Sequence, residues 1–201
     1  MPRYDPSTAL VIVDLQNDFA DPSGSLSVAG GDVIVATVNE EVARAVAAGA
    51  TVVATQDWHP ASTPHFAKDG GIWPVHCVGG TWGAALHPDL ALPEHTPIVR
   101  KGVDGEDGYS GFTVRDSTTG APVPTGLHAL LRERAVDRLV VVGLATDYCV
   151  KATALDAVGL GYGTSLVIDA VAAVDLQHGD GDRAITELRA AGVEIWSPGP
   201  G

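Results

Sequence analysis

Three times along the chain a helix-like stretch stops at a glycine and a Val- or Thr-rich run begins at once: at Gly49, at Gly161 and at Gly192. A helix closed by a glycine stop and followed directly by a buried-type strand is the pattern of βα units. It predicts a parallel sheet with crossover helices rather than a sandwich or a bundle. Residues 32–48 show the helical period most clearly. Ile34, Val38, Val42 and Ala45 share one face, and Glu40, Glu41 and Arg44 lie elsewhere. Residues 127–134, 146–160 and 182–191 read as further helices. Residues 9–13, 51–55, 97–100, 139–142, 164–168 and 193–195 read as strands. The expected fold is α/β: a three-layer α/β/α arrangement around a six-stranded parallel sheet, in one domain over residues 1–201.

Two stretches break the rhythm. Residues 56–96 carry little periodicity, and loops of that length inside a compact domain usually serve function. Residues 102–125 are rich in Gly, Asp, Ser and Thr, with room for a small hairpin or a flexible lid. The charge balance, 12 Lys and Arg against 25 Asp and Glu, argues against nucleic acid or an anionic membrane as partner. Its scattered acidity suits solubility. Only Cys77 and Cys149 are present, far apart, so a disulfide scaffold is not expected and a reducing cytoplasm is. A basic-plus-apolar leader and a membrane-length apolar run are both missing, which gives a soluble, cytoplasmic protein as the expectation.

In open parallel sheets chemistry collects at the carboxyl ends of the strands. Strand one ends in Asp14-Leu15-Gln16-Asn17-Asp18-Phe19, and strand two in Thr55-Gln56-Asp57-Trp58-His59. Strand three ends in Arg100-Lys101-Gly102, and strand four runs through Gly143-Leu144-Ala145-Thr146 to Cys149. With Thr146 as N-cap, Cys149 falls in a first helical turn, where the helix dipole and free N–H groups favour a thiolate. Each residue has a bland alternative: a buried inert cysteine, an Asp14 that caps a turn, a solvated Lys101. Asp57 and His59 point the same way along an extended segment. With His76 they would make a mixed N/O site suited to Zn²⁺, Fe²⁺ or Mn²⁺. His65 is either a fourth ligand or a surface residue. His87, His95, His128 and His178 read as structural, and Cys77 as packing.

Taken in order, Val13 to Phe19, Thr55 to His59, Trp73-Pro74-Val75-His76-Cys77-Val78, Lys101-Gly102, Tyr109-Ser110-Gly111-Phe112 and Gly143 to Val150 resemble the nicotinamidase branch of the isochorismatase-like (cysteine hydrolase) family. The resemblance covers nearly the whole chain with family-like spacing. It implies Asp14, Lys101 and Cys149 as a catalytic triad and a cis peptide between Leu144 and Ala145. It also implies an oxyanion hole from the amides of Ala145 and Cys149. Asp57, His59 and His76 become metal ligands, with His65 a fourth in some relatives. Phe19, Trp73, Leu144, Ala145 and Tyr148 become substrate-contacting positions, although Phe19 and Trp73 also suit plain loop packing. The segment 114–123 is longer than the minimal family form, which leaves lid shape open.

The activity so implied is deamidation of nicotinamide, and of pyrazinamide, to the acid and ammonia through a cysteine thioester. A divalent ion, with zinc the leading choice, would orient the pyridine ring. A small molecule is the expected partner, and a homo-oligomer stays open because the family holds monomers and oligomers. Two rivals remain. One is another carboxamide-cleaving member of the family, against which the metal set argues. The other is a non-catalytic metal-binding or thiol redox protein, which would have no use for Asp14 and Lys101.

Overall fold

The computed structural model describes residues 4–197. Strand β1 (Thr8–Val13) is buried at every residue and leads through a short helix, α1 (Asn17–Ala20), to α2 (Ile34–Ala47). Then come β2 (Thr51–Asp57), the long segment before β3 (Ile98–Lys101), and a two-stranded hairpin of β4 (Thr113–Arg115) and β5 (Pro122–Pro124). Helix α3 (Leu127–Glu133), β6 (Arg138–Leu144), α4 (Lys151–Gly159), β7 (Gly163–Ala172), α5 (Asp180–Ala190) and β8 (Glu194–Trp196) complete the order.

Six strands form one parallel sheet in the order β3-β2-β1-β6-β7-β8. Strand alternation divides the core in two. Leu10 and Ile12 of β1 meet Ile34, Val38 and Val42 of α2 on one face. Ala9, Val11 and Val13 meet Leu127, Leu131, Ala154, Ala157 and Leu188 of α3, α4 and α5 on the other. Each fully buried Val, Leu or Ile contributes about 1.5–3 kcal/mol, so a one-residue slip of β1 would misplace the whole set. The expected three layers and six parallel strands are present. Gly49, Gly161 and Gly192 stop their helices with φ of 70°, 88° and 96°, where a side chain is disfavoured.

Chain order reverses between β1 and β6, so the crevice for a ligand opens at their carboxyl ends. The strands come close there. A Cβ on Gly143 would stand 2.1 Å from the Val13 carbonyl oxygen, which leaves glycine as the residue that fits. The local structure after β6 corrects one expectation. Residues 146–150 form a π-helical turn ahead of α4, and Ala145 rather than Thr146 stands at its N-cap position. The Leu144–Ala145 peptide bond is cis. Between β2 and β3 the regular structure among the described residues is a single 3₁₀ turn, Ala67–Asp69. The 102–125 stretch does hold a small hairpin.

Candidate active site

Asp14 leaves β1 with φ 45° and is fully buried. Thr55 of β2 holds it on two sides. The Thr55 hydroxyl donates to Asp14 Oδ1 at 2.6 Å and accepts the Asp14 amide at 3.2 Å. Lys101, from the end of β3 and equally buried, puts its ammonium 2.9 Å from Asp14 Oδ2. The same ammonium hydrogen-bonds Asp57 Oδ1 and lies 3.7 Å from Cys149 Sγ. Oδ2 of Asp14 is thus engaged by the Lys101 ammonium as an ion pair. Sγ of Cys149 and carboxylate oxygens of Asp14 and Asp57 all lie within 4.8 Å of one another.

Burial dominates the protonation of this group. It pushes the Asp14 carboxyl up, and Asp57 adds to this while Lys101 pulls the other way. It would push Asp57 up too, but Lys101, His59 and His76 outweigh it and hold Asp57 below the ordinary carboxylate range. Lys101 stays charged, because Asp14, Asp57 and Cys149 overcome its desolvation. The Cys149 thiol is pushed well up by burial and by the two carboxylates, against the pull of Lys101. Burial and the two carboxylates therefore oppose the helix-stabilised thiolate that the sequence suggested, while Lys101 favours it.

Asp57 joins this cluster to a second one. Its other oxygen, Oδ2, lies 3.7 Å from His59 Nε2 and 3.8 Å from His76 Nε2. Ligand atoms of His59, His65 and His76 fall within 4.8 Å of one another, all in buried residues. Both ring nitrogens of His59 are buried without a hydrogen-bond partner among the described residues, a costly state for a polar group. The His76 Nδ1 edge faces the Pro74 carbonyl at 2.7 Å, and burial pushes His76 down to about 4, so it is neutral at pH 7. Imidazoles converging with one carboxylate, one of them otherwise orphaned, are a donor set that fits a divalent transition metal. His65, left open by the sequence, belongs to the cluster.

The supporting side chains were missed in the sequence. The Gln16 amide clasps Asp57 through both backbone groups, accepting from its N at 2.8 Å and donating to its O at 2.7 Å. Asp18 accepts the Cys77 amide at 2.7 Å, next to His76. Asn17 donates to the Trp82 carbonyl at 2.8 Å. These polar residues after β1 therefore anchor the irregular stretch that carries the histidines. No periodicity announces such contacts; the only signal was an unusual run of Gln, Asn and Asp after a buried strand.

Both clusters open on one cavity. Asp57, His65 and His76 line one side and Ala145 and Cys149 another, while Phe19, Trp73, Tyr109 and Tyr148 supply aromatic walls. Leu26, Val28 and Val174 are lining residues that the sequence reading did not name, and Tyr109, named there only within a family-like segment, lines it too. Leu144 is corrected. It continues the alternation of Val140 and Val142 into the core under α2 and does not line the cavity. Cys77 is fully buried, with its sulfur toward the Gly83 carbonyl rather than among the imidazoles. His128 pairs with Tyr162, and His95 is exposed.

The isochorismatase domain matches residues 8–197. The nicotinamidase of Escherichia coli (strain K12) is 38% identical, with 96% of this chain and 95% of the relative aligned. The pyrazinamidase of Pyrococcus horikoshii, solved in complex with zinc, superposes with a TM-score of 0.85 at 38% identity, covering 96% of this chain and 100% of that one. PnC1 from L. infantum, solved in complex with nicotinate, gives 0.86 at 37% identity over 98% and 96%.

Proposed function

The chain belongs to the isochorismatase family, and on that premise we propose that it is an amidohydrolase converting nicotinamide and water to nicotinate and ammonia, with pyrazinamide as a second substrate. One observation carries the reading. A single buried ammonium touches two carboxylates and stands 3.7 Å from a thiol, beside a convergent imidazole set that faces the same cavity. A flat ring bearing a nitrogen at one edge and a carboxamide at another matches those two ends. The similar proteins act on or bind such molecules. The product would feed pyridine-nucleotide salvage.

Asp57, His59, His76 and His65 would hold a divalent ion, with zinc as first choice. That ion would supply an anchor for the ring nitrogen, directly or through water, and so orient the carboxamide. The rest belongs to side chains of the chain. Cys149 attacks the carboxamide carbon as its proton passes to Asp14, whose carboxylate adjoins the sulfur and whose affinity for a proton is raised by burial. Lys101 holds Asp14 in place and keeps the site neutral enough for charge to move. The amides of Ala145 and Cys149 are assigned to the oxyanion; one such donor is worth about 3 kcal/mol. Asp14 returns the proton to the leaving nitrogen, a thioester remains, and Asp14 activates water to cleave it. Phe19 and Trp73 flank the ring.

The test is ammonia release from nicotinamide by the wild type and Cys149→Ala, with metal content measured on the same samples. Turnover by the wild type and none by the variant, at equal metal content, is expected. Activity surviving in Cys149→Ala removes the nucleophile. A wild type that releases ammonia only from other carboxamides makes the chain a different amidase of the family.

A further inference from the structure

His65 is nearly buried, yet its Nδ1 reaches Asp107 Oδ1 at 2.8 Å, and the Asp107 side chain is 60% exposed. A buried imidazole of the metal-type cluster is thus held by a carboxylate from the surface loop after β3. That loop lies over the cluster at its start as well. At Gly102, with φ 80°, a Cβ would come 2.7 Å from His59 Nδ1. The far end is tied down too, since the Asp107 N–H and C=O both pair with Arg115 of β4. Between these ends Gly105 is buried, and at the far end the Asp107 side chain reaches His65.

We infer that Asp107 is a positioning residue of the metal centre: it fixes His65 as an imidazole ligand and so couples the loop after β3 to occupancy of the site. This inference rests on the metal-assisted reading above. The chemistry is that of a carboxylate–imidazole–metal chain. With Nδ1–H donated to Asp107, the ring lone pair sits on Nε2, free for a cation, and the ring is held against rotation. His59 and His65 are stacked with centroids 4.8 Å apart, so a turn of one ring displaces the other. The coupling runs both ways. An ion that holds His65 also holds Asp107, and a loop in place presents a better ligand set.

Among the described residues the loop carries no other hydrogen-bond partner for the cluster, and the Asp107 carboxylate lies at the surface rather than in the hydrophobic core. Its replacement therefore separates positioning from folding. The experiment measures Zn²⁺ affinity of the metal-stripped, full-length chain by competition with a chromogenic chelator, for wild type, Asp107→Asn, Asp107→Glu and His65→Ala. Thermal unfolding of each metal-free form runs alongside. Hydrogen exchange of residues 102–109 is followed with and without Zn²⁺. Expected is a ~10–100-fold weaker affinity in Asp107→Asn and His65→Ala, with recovery in Asp107→Glu and unchanged metal-free stability for the Asp107 variants. Zinc should slow exchange in the wild-type loop and not in Asp107→Asn. Wild-type affinity in Asp107→Asn or in His65→Ala overturns this inference and leaves the proposed function standing. A wild type that takes up no Zn²⁺ overturns both.

Discussion

The two halves of the site are built in opposite ways. The Cys149 half comes from the carboxyl ends of β1, β2 and β3 and the turn after β6, and its charges answer one another: Lys101 stands between Asp14 and Asp57 with no other ion needed. The imidazole half comes from a long irregular segment, and His59 has no partner for either nitrogen among the described residues. One half is complete as folded, and the other is a set of donors suited to a cation. Asp57 belongs to both, with one oxygen on Lys101 and the other facing His59 and His76. On the proposed function, the catalytic charges would be preorganised by the fold, whereas substrate orientation would be left to an ion the fold accommodates.

The contrast is sharpened most by Asp14→Asn. It keeps the shape and removes the base, so kcat should fall by about 10⁴-fold while Zn²⁺ uptake is retained. The wild-type pH profile should show an acid limb displaced upward from the ordinary carboxylate range, because burial raises Asp14 and only its ionised form takes the thiol proton. An Asp14→Asn variant that lost both activity and metal would merge the halves.

Stability should divide the same way. Lys101→Met leaves two buried carboxylates uncompensated and should cost about 3–5 kcal/mol in denaturant unfolding. His59→Leu removes an imidazole that has no hydrogen-bond partner among the described residues, so metal-free stability should hold or rise by about 1 kcal/mol. Zinc should then stabilise the wild type, by about 2.7 kcal/mol at a hundredfold excess over Kd, and leave His59→Leu unmoved. Equal losses in the two metal-free variants would contradict the division.

The same division sets how much could be read in advance. The preorganised half was legible, because strand alternation and the glycine stops placed the ends of β1, β2, β3 and β6 on one edge, and those ends carry Asp14, Asp57, Lys101 and the approach to Cys149. The side chains that support both halves were not. Gln16 reaches Asp57 and Thr55 reaches Asp14 across a separation of 41 residues, and Asp107 reaches His65 across 42. Such contacts have no period and no local propensity behind them. The π-turn at Cys149 is hidden for a related reason: the segment looks helical, and only its packing against the sheet decides the hydrogen-bond register. At Leu144 the alternation with Val140 and Val142 points inward, and that period outweighs the family position that would set it against substrate.

A substrate comparison tests the orientation step alone. Nicotinamide and pyrazinamide keep the ring nitrogen, and benzamide lacks it. With metal bound, benzamide should be poorer by one to two orders of magnitude, roughly the 1–3 kcal/mol of one lost interaction. After chelation the three amides should converge at a low rate. Benzamide turned over as fast as nicotinamide by the metal-loaded enzyme would sink the orienting role while leaving the Cys149 half intact.

The smallest effect belongs to the cavity wall shared by loop and site. Trp73 Nε1 donates to the Tyr109 hydroxyl at 3.1 Å, and both rings pack on Tyr148, with centroids 5.0 and 5.2 Å away. Tyr109→Phe deletes one partly exposed hydrogen bond and keeps the ring, a net change of about 0.5–1.5 kcal/mol. That corresponds to a fall in kcat/KM of about tenfold at most, carried by KM, since the wall touches the ring rather than the reacting carbon. Tyr109→Ala should add a larger KM effect by opening the wall. A loss in kcat from Tyr109→Phe would mean that this hydroxyl reaches the chemistry itself, and the boundary drawn between a preorganised half and an accommodating half would have to move to include the loop.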